Sequence, residues 1–126
     1  MSVIKTILQS LFTTMNGICE KTYLKRPKSV ADQMNSFIVV SLPVTIKSKI
    51  HGNDYNWADT FCRVEIFVRD NGGELRINDI DKFTDLVMAK FPIKSGAISI
   101  INPKILLSGD DGNGFDVVTI QALVTT

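Results

Sequence analysis

The chain has 126 residues, of which 44% are hydrophobic and 21% charged, and its net charge is +1. That composition excludes a disordered segment, and a chain of this length buries roughly two-thirds of its unfolded surface, so a core needs neither disulfides nor a structural metal. So small a net charge excludes a global field that would draw the molecule to nucleic acid.

Val3, Ile4, Ile7, Leu8, Leu11, Phe12 and Met15 recur at helical spacing and predict an amphipathic helix, capped by Ser2 and ended by a left-handed Gly17. Its opposite face is polar but carries a single charge, Lys5, which suits burial against a neighbour as well as water. The stretch is interrupted by polar residues and about 20 Å long, so it predicts neither a signal peptide nor a membrane span. Folding in the cytoplasm is expected.

Ile18 to Lys25 reads as a short strand stopped by Arg26-Pro27, and Ser29 to Asn35 as a connector. Phe37-Ile38-Val39-Val40 suits a buried strand ending near Pro43. Val44 to His51 alternates, as does Thr60 to Arg69, and the two flank a polar, aromatic stretch, Gly52 to Asp59. That pattern predicts a long antiparallel hairpin. Cys62, Val64, Ile66 and Val68 fall on one side of its second strand, with Phe61, Arg63, Glu65, Phe67 and Arg69 on the other.

After the turn Asp70-Asn71-Gly72-Gly73, Asn78 is expected to cap a second helix with Asp81 as capping-box partner. Its apolar stripe is Ile80, Phe83, Leu86, Val87 and Phe91, and Pro92 stops it. Ala97 to Leu107 and Phe115 to Thr125 are the last strands, the first with a bulge or edge at Asn102-Pro103, joined by the loop Ser108 to Gly114. The order α-β-β-β-α-β-β predicts an α+β fold, one two-layer domain over 1–126 with two helices on one face of a mostly antiparallel sheet.

Cys19 and Cys62 lie far apart in apolar stretches and read as buried, reduced thiols. His51, the lone histidine, sits beside a turn without a nucleophile elbow, which points away from a triad. Asp110-Asp111-Gly112-Asn113-Gly114 looks calcium-like but lacks the ligand order and closing Glu of an EF-hand. Asp79, Asp81 and Asp85 match a helix dipole. No phosphate loop occurs. The chain is therefore expected to be no enzyme and to hold no cofactor or metal.

Charge is divided along the chain. Met1 to His51 holds seven Lys/Arg against two Asp/Glu, and Gly52 to Thr126 holds seven against eleven. If folding keeps the halves apart, a basic side with Lys21, Lys25, Arg26, Lys47 and Lys49 opposes an acidic side with Asp54, Asp59, Asp110 and Asp111. Such a division suits head-to-tail packing of identical subunits. Tyr55 and Trp57 are the aromatic candidates for a central anchor, or alternatively for a plug on the hairpin end.

The order of elements resembles the tail-terminator and tail-completion proteins of long-tailed bacteriophages. The resemblance is carried by the amphipathic first helix, Lys25-Arg26-Pro27-Lys28, the strand Phe37 to Pro43, the strand Arg63-Val64-Glu65-Ile66-Phe67-Val68, the helix Asn78 to Phe91 and the closing Asp116-Val117-Val118-Thr119-Ile120. It implies a virion protein that forms a ring, usually a hexamer. The ring would cap the tail tube, meet the tail tube protein and the head connector, and let DNA through its channel. The alternative is a non-enzymatic ligand- or nucleic-acid-binding module using the face of Phe61, Arg63, Glu65, Phe67 and Arg69.

Overall fold

The computed structural model describes residues 3–25, 34–42, 48–51, 54–57, 60–96 and 98–125. Helix α1 spans Val3–Met15 and buries Ile7, Leu11 and Met15, one residue per turn. Each is worth roughly 1.5–3 kcal/mol on leaving water. Gly17 follows at φ 96°, the left-handed conformation that ends the helix. The proposed cap, Ser2, lies outside the described residues. Strand β1 is short, Thr22–Tyr23, in place of the longer strand expected from Ile18.

The remaining elements are β2 (Ser36–Ser41), β3 (Ser48–His51), β4 (Asp54–Trp57), β5 (Thr60–Arg69), α2 (Ile77–Met88), β6 (Ile93–Ser95), β7 (Ile98–Asp110) and β8 (Phe115–Thr125). The class is α+β and the order agrees with the expected α-β-β-β-α-β-β, with additional short strands, β4 and β6 among them. Six strands form one sheet in the order β1-β2-β5-β8-β7-β6. All its pairs are antiparallel except β1 with β2.

Both helices cover one face. Ile7, Leu11 and Met15 of α1 and Val87 of α2 share a core with Ile38, Val40, Val64, Ile66, Ile120 and Val124 of the sheet. Cys62, Val64, Ile66 and Val68 belong to this layer, as their alternation predicts. The other face has its own cluster of Phe37, Val39, Phe67, Phe115 and Val117, flanked by Tyr23 and Met34.

Three expectations are corrected. The strand from Thr60 does not pair with the one before it. It lies between β2 and β8, matched to β8 along its whole length from Thr60↔Val124 to Arg69↔Phe115. Ser48–His51 pairs instead with Asp54–Trp57 in a separate two-stranded sheet, so Tyr55 and Trp57 belong to a strand rather than a loop. Alternation fixes which residues share a face but is the same for every partner strand.

Helix α2 begins one residue early, at Ile77. Arg76 is its N-cap without a side-chain cap bond, and Asn78 and Asp81 form no capping box. Its first turn still carries Asp79, favourable at the positive end of the dipole. Thr84, not Leu86, completes the buried stripe with Val87, and Leu86 is exposed.

Strand β7 runs to Asp110, so the loop shortens to the turn after it. The expected irregularity at Asn102-Pro103 is present. Register slips between Ile101↔Leu123 and Lys104↔Gln121, and Asn102 takes φ 54°.

Candidate assembly interface

Beyond Ile100, β7 has one neighbour, β8. Its other edge, after the three residues that pair with β6, is open among the described residues. Ile105, Leu106 and Leu107 follow one another there, all exposed, Leu107 by 85%. A long apolar strand edge is a template for another chain unless it is blunted. Lys104, before the apolar triplet, and Asp110, after it, are the charges on this stretch of strand.

The far end of the edge is acidic. Asp110 stands opposite Asp116 across the ladder. Desolvation, then the like charges of Asp110, Asp70 and Asp111, raise the Asp116 carboxyl above its ordinary value. The Asp111 carboxylate holds the turn. One oxygen accepts the backbone N–H of Asn113 at 2.7 Å and of Phe115 at 3.1 Å. Gly112 and Gly114 take positive φ beside it, so the calcium-like composition is accounted for by turn geometry.

The opposite edge of the same sheet is β1. Lys21, Leu24 and Lys25 flank its two residues and are exposed, Leu24 by 53%. The Lys21 ammonium lies 5.5 Å from the Tyr23 ring centre. Nearby Glu20 accepts the Asn35 N–H at 3.2 Å. Strands β1 and β2 come from the basic half of the chain and β5 to β8 from the acidic half, so the six-stranded sheet keeps the halves apart.

The expected interface residues are distributed as follows. Lys25 is exposed beyond β1, Asp110 ends β7 and Asp111 begins the turn. Lys49 lies in β3, and Asp54, Tyr55 and Trp57 in β4. Lys49 faces Asn56 in register and His51 faces Asp54. Lys49 and Asp54 thus share one hairpin and do not divide into a basic and an acidic side. Arg26, Lys47 and Asp59 lie outside the described residues. The sequence reading missed Leu24 and the triplet Ile105 to Leu107. Their signal was a run of three apolar residues, which breaks the alternation of a half-buried strand.

The alternative sheet face is largely occupied by its own contacts. Phe67 is 3% exposed and stacks on Phe37, with ring centres 4.5 Å apart and planes 9° apart. The Arg69 guanidinium sits 4.6 Å from the centre of the Phe115 ring and donates to the Met34 carbonyl at 2.9 Å. Arg63 donates to the Gln121 side chain at 3.2 Å. Phe61, at 41% exposure, remains open.

Cys19 and Cys62 are free, buried thiols, both pushed up to about 12 chiefly by burial. They are protonated and poor nucleophiles at neutral pH. A shallow cleft beside Cys19 is lined by Glu20, Asn35, Arg76, Asp79 and Phe83 among others. No three His, Cys, Asp or Glu side chains of the described residues are grouped to hold a metal ion. No described helix is long and apolar enough to cross a membrane.

No family model and no curated protein matches the chain. The fold recurs among solved structures. One chain, 13% identical, superimposes with a TM-score of 0.56, the match covering 95% of this chain and 89% of that one. At that identity the likeness concerns the fold alone.

Proposed function

We propose that this chain is a structural protein of the virion of a long-tailed bacteriophage. It assembles into a ring, a hexamer by the family resemblance, that caps the tail tube, ends tube growth and offers a surface to the head connector. One observation carries the reading. Among the described residues, a single sheet has two unlike open edges, one flanked by lysines and the other apolar with an acidic end. Identical subunits in a ring meet through two different patches, and a molecule with one kind of edge could only pair off. DNA passes through the ring, and the chain itself carries out no chemistry.

Native mass and negative-stain imaging test this, for the protein alone and with growing tail tubes. Ring-shaped particles of fixed copy number, and tubes that stop growing once capped, are expected. A monomer that leaves tube growth unchanged would overturn the reading.

A further inference from the structure

We infer that copies of this chain join by continuing the sheet, with the β1 edge of one seated antiparallel along the Ile105–Asp110 edge of the next. This rests on the ring reading and names the surface that builds it.

Direction is the first argument. Strands β5 and β7 run one way, and β1, β2 and β8 run the other. A second copy added edge to edge in the same orientation therefore brings its β7 antiparallel to β1, which is the stronger kind of pairing. It also keeps the helices of both copies on one side.

Side-chain facing is the second. One row crosses five of the six strands, Thr22↔Ile38↔Ile66↔Val118↔Leu107. Ile38 and Ile66 pack under the helices, so Leu107 at one end of the row and Thr22 at the other lie on the helix side. Alternation carried past β1 puts Leu24 on that side too.

Spacing is the third. Lys21 lies three residues before Leu24, and on β7 the register shift between Leu107 and Gly109 places Asp110 two ladder steps and Asp111 three steps beyond Leu107. An antiparallel pairing that seats Leu24 on Leu107 of the next copy brings Lys21 to the acidic end of that copy's hairpin, at Asp110 and Asp111. The most exposed large apolar side chain among the described residues, Leu107, is covered, and a lysine meets the acidic end of the hairpin. The apolar contact supplies cohesion, and the charge pair selects the partner edge.

The test joins cross-linking to charge exchange in the full chain. Cys19 and Cys62 are buried, so the double variant Leu24→Cys with Leu107→Cys offers the two reactive thiols. A short bismaleimide should give a ladder of covalent multimers on a denaturing gel. Either substitution alone should give none beyond traces of dimer.

In sedimentation, Leu107→Lys should weaken association at least tenfold while its urea midpoint stays that of wild type. Lys21→Glu and Asp110→Lys should each weaken it several-fold, and both losses should shrink in high salt. Wild type that associates while no ladder forms, or while Leu107→Lys associates equally well, would overturn this interface and leave the ring reading standing. Wild type that stays monomeric even with tube ends would overturn both.

Discussion

Phe67→Ala tests whether the sheet face away from the helices is a second core rather than a binding surface. Phe67 is almost fully buried, and its ring stacks on Phe37 at 4.5 Å and meets Phe115 edge-on at 6.4 Å. Truncating a buried Phe costs about 3–5 kcal/mol in lost transfer energy and cavity. With a urea slope of about 2 kcal/mol per M, the midpoint should fall by about 2 M. Phe61→Ala is the internal control. It sits on the same strand and the same face but is 41% exposed, and should cost about 1 kcal/mol or less. The double variant with Phe37→Ala should show a coupling of about 0.5–1.5 kcal/mol, the share of the stacked pair. Equilibrium urea unfolding followed by circular dichroism measures wild type, the single variants Phe67→Ala, Phe61→Ala and Phe37→Ala, and the double variant. If Phe67→Ala cost no more than Phe61→Ala, the face would be an open platform, and the ligand-binding alternative would regain its main surface.

Thr84 and Thr22 bury hydroxyls without a hydrogen-bond partner among the described residues. Thr84→Val should therefore stabilise the fold by about 1 kcal/mol in urea unfolding, and a loss of stability would contradict that accounting. The folded-state values of Cys19 and Cys62 exceed the ordinary thiol value of 9.0, so the unfolded chain ionises first as pH rises. Their contribution to stability is intact below pH 9 and is lost towards about pH 12. Cys62→Ala should flatten that alkaline decline in thermal melts. The Asp116 carboxyl is also raised, which penalises folding above the ordinary carboxylate range and not below it. Asp116→Asn should raise the melting temperature at pH 7, leave it unchanged at pH 3, and lose part of its benefit in high salt.

The fold was legible where one residue's neighbours in sequence settle its environment. Alternation in Thr60–Arg69 placed Cys62, Val64, Ile66 and Val68 under the helices, and the spacing of Ile7, Leu11 and Met15 gave α1 its buried stripe. Asn102-Pro103 announced its bulge because proline has no N–H to give a ladder. Strand partners were not legible. Val44 to His51 and Thr60 to Arg69 have the same period as any two strands, and proximity in sequence favoured a hairpin that the sheet does not contain. The start of α2 was misplaced because Asn78 is a good cap residue in isolation, whereas the chain turns into the helix at Arg76 without a side-chain cap.

The interface was the least legible part, and the reason is the same. Charge counts along the chain pointed to a basic side with Lys25 and an acidic side with Asp110, both exposed in the structure, but they also assigned Lys49 and Asp54 to opposite sides of the molecule. A two-residue connection puts those two in one hairpin. Whether Leu107 is core or surface depends on where β6 stops. That strand pairs with Ile98, Ser99 and Ile100 and goes no further, so the apolar triplet that follows has a partner on one edge only. In a monomer such an edge is a hazard that is normally met with charge, proline or a covering segment. Here Pro103 breaks the ladder before the triplet and Asp110 closes it after, which confines the open stretch to a few residues. A short edge limits non-specific pairing with other strands, whereas a head-to-tail contact between copies closes into a ring or runs on as a filament according to the rotation between neighbours.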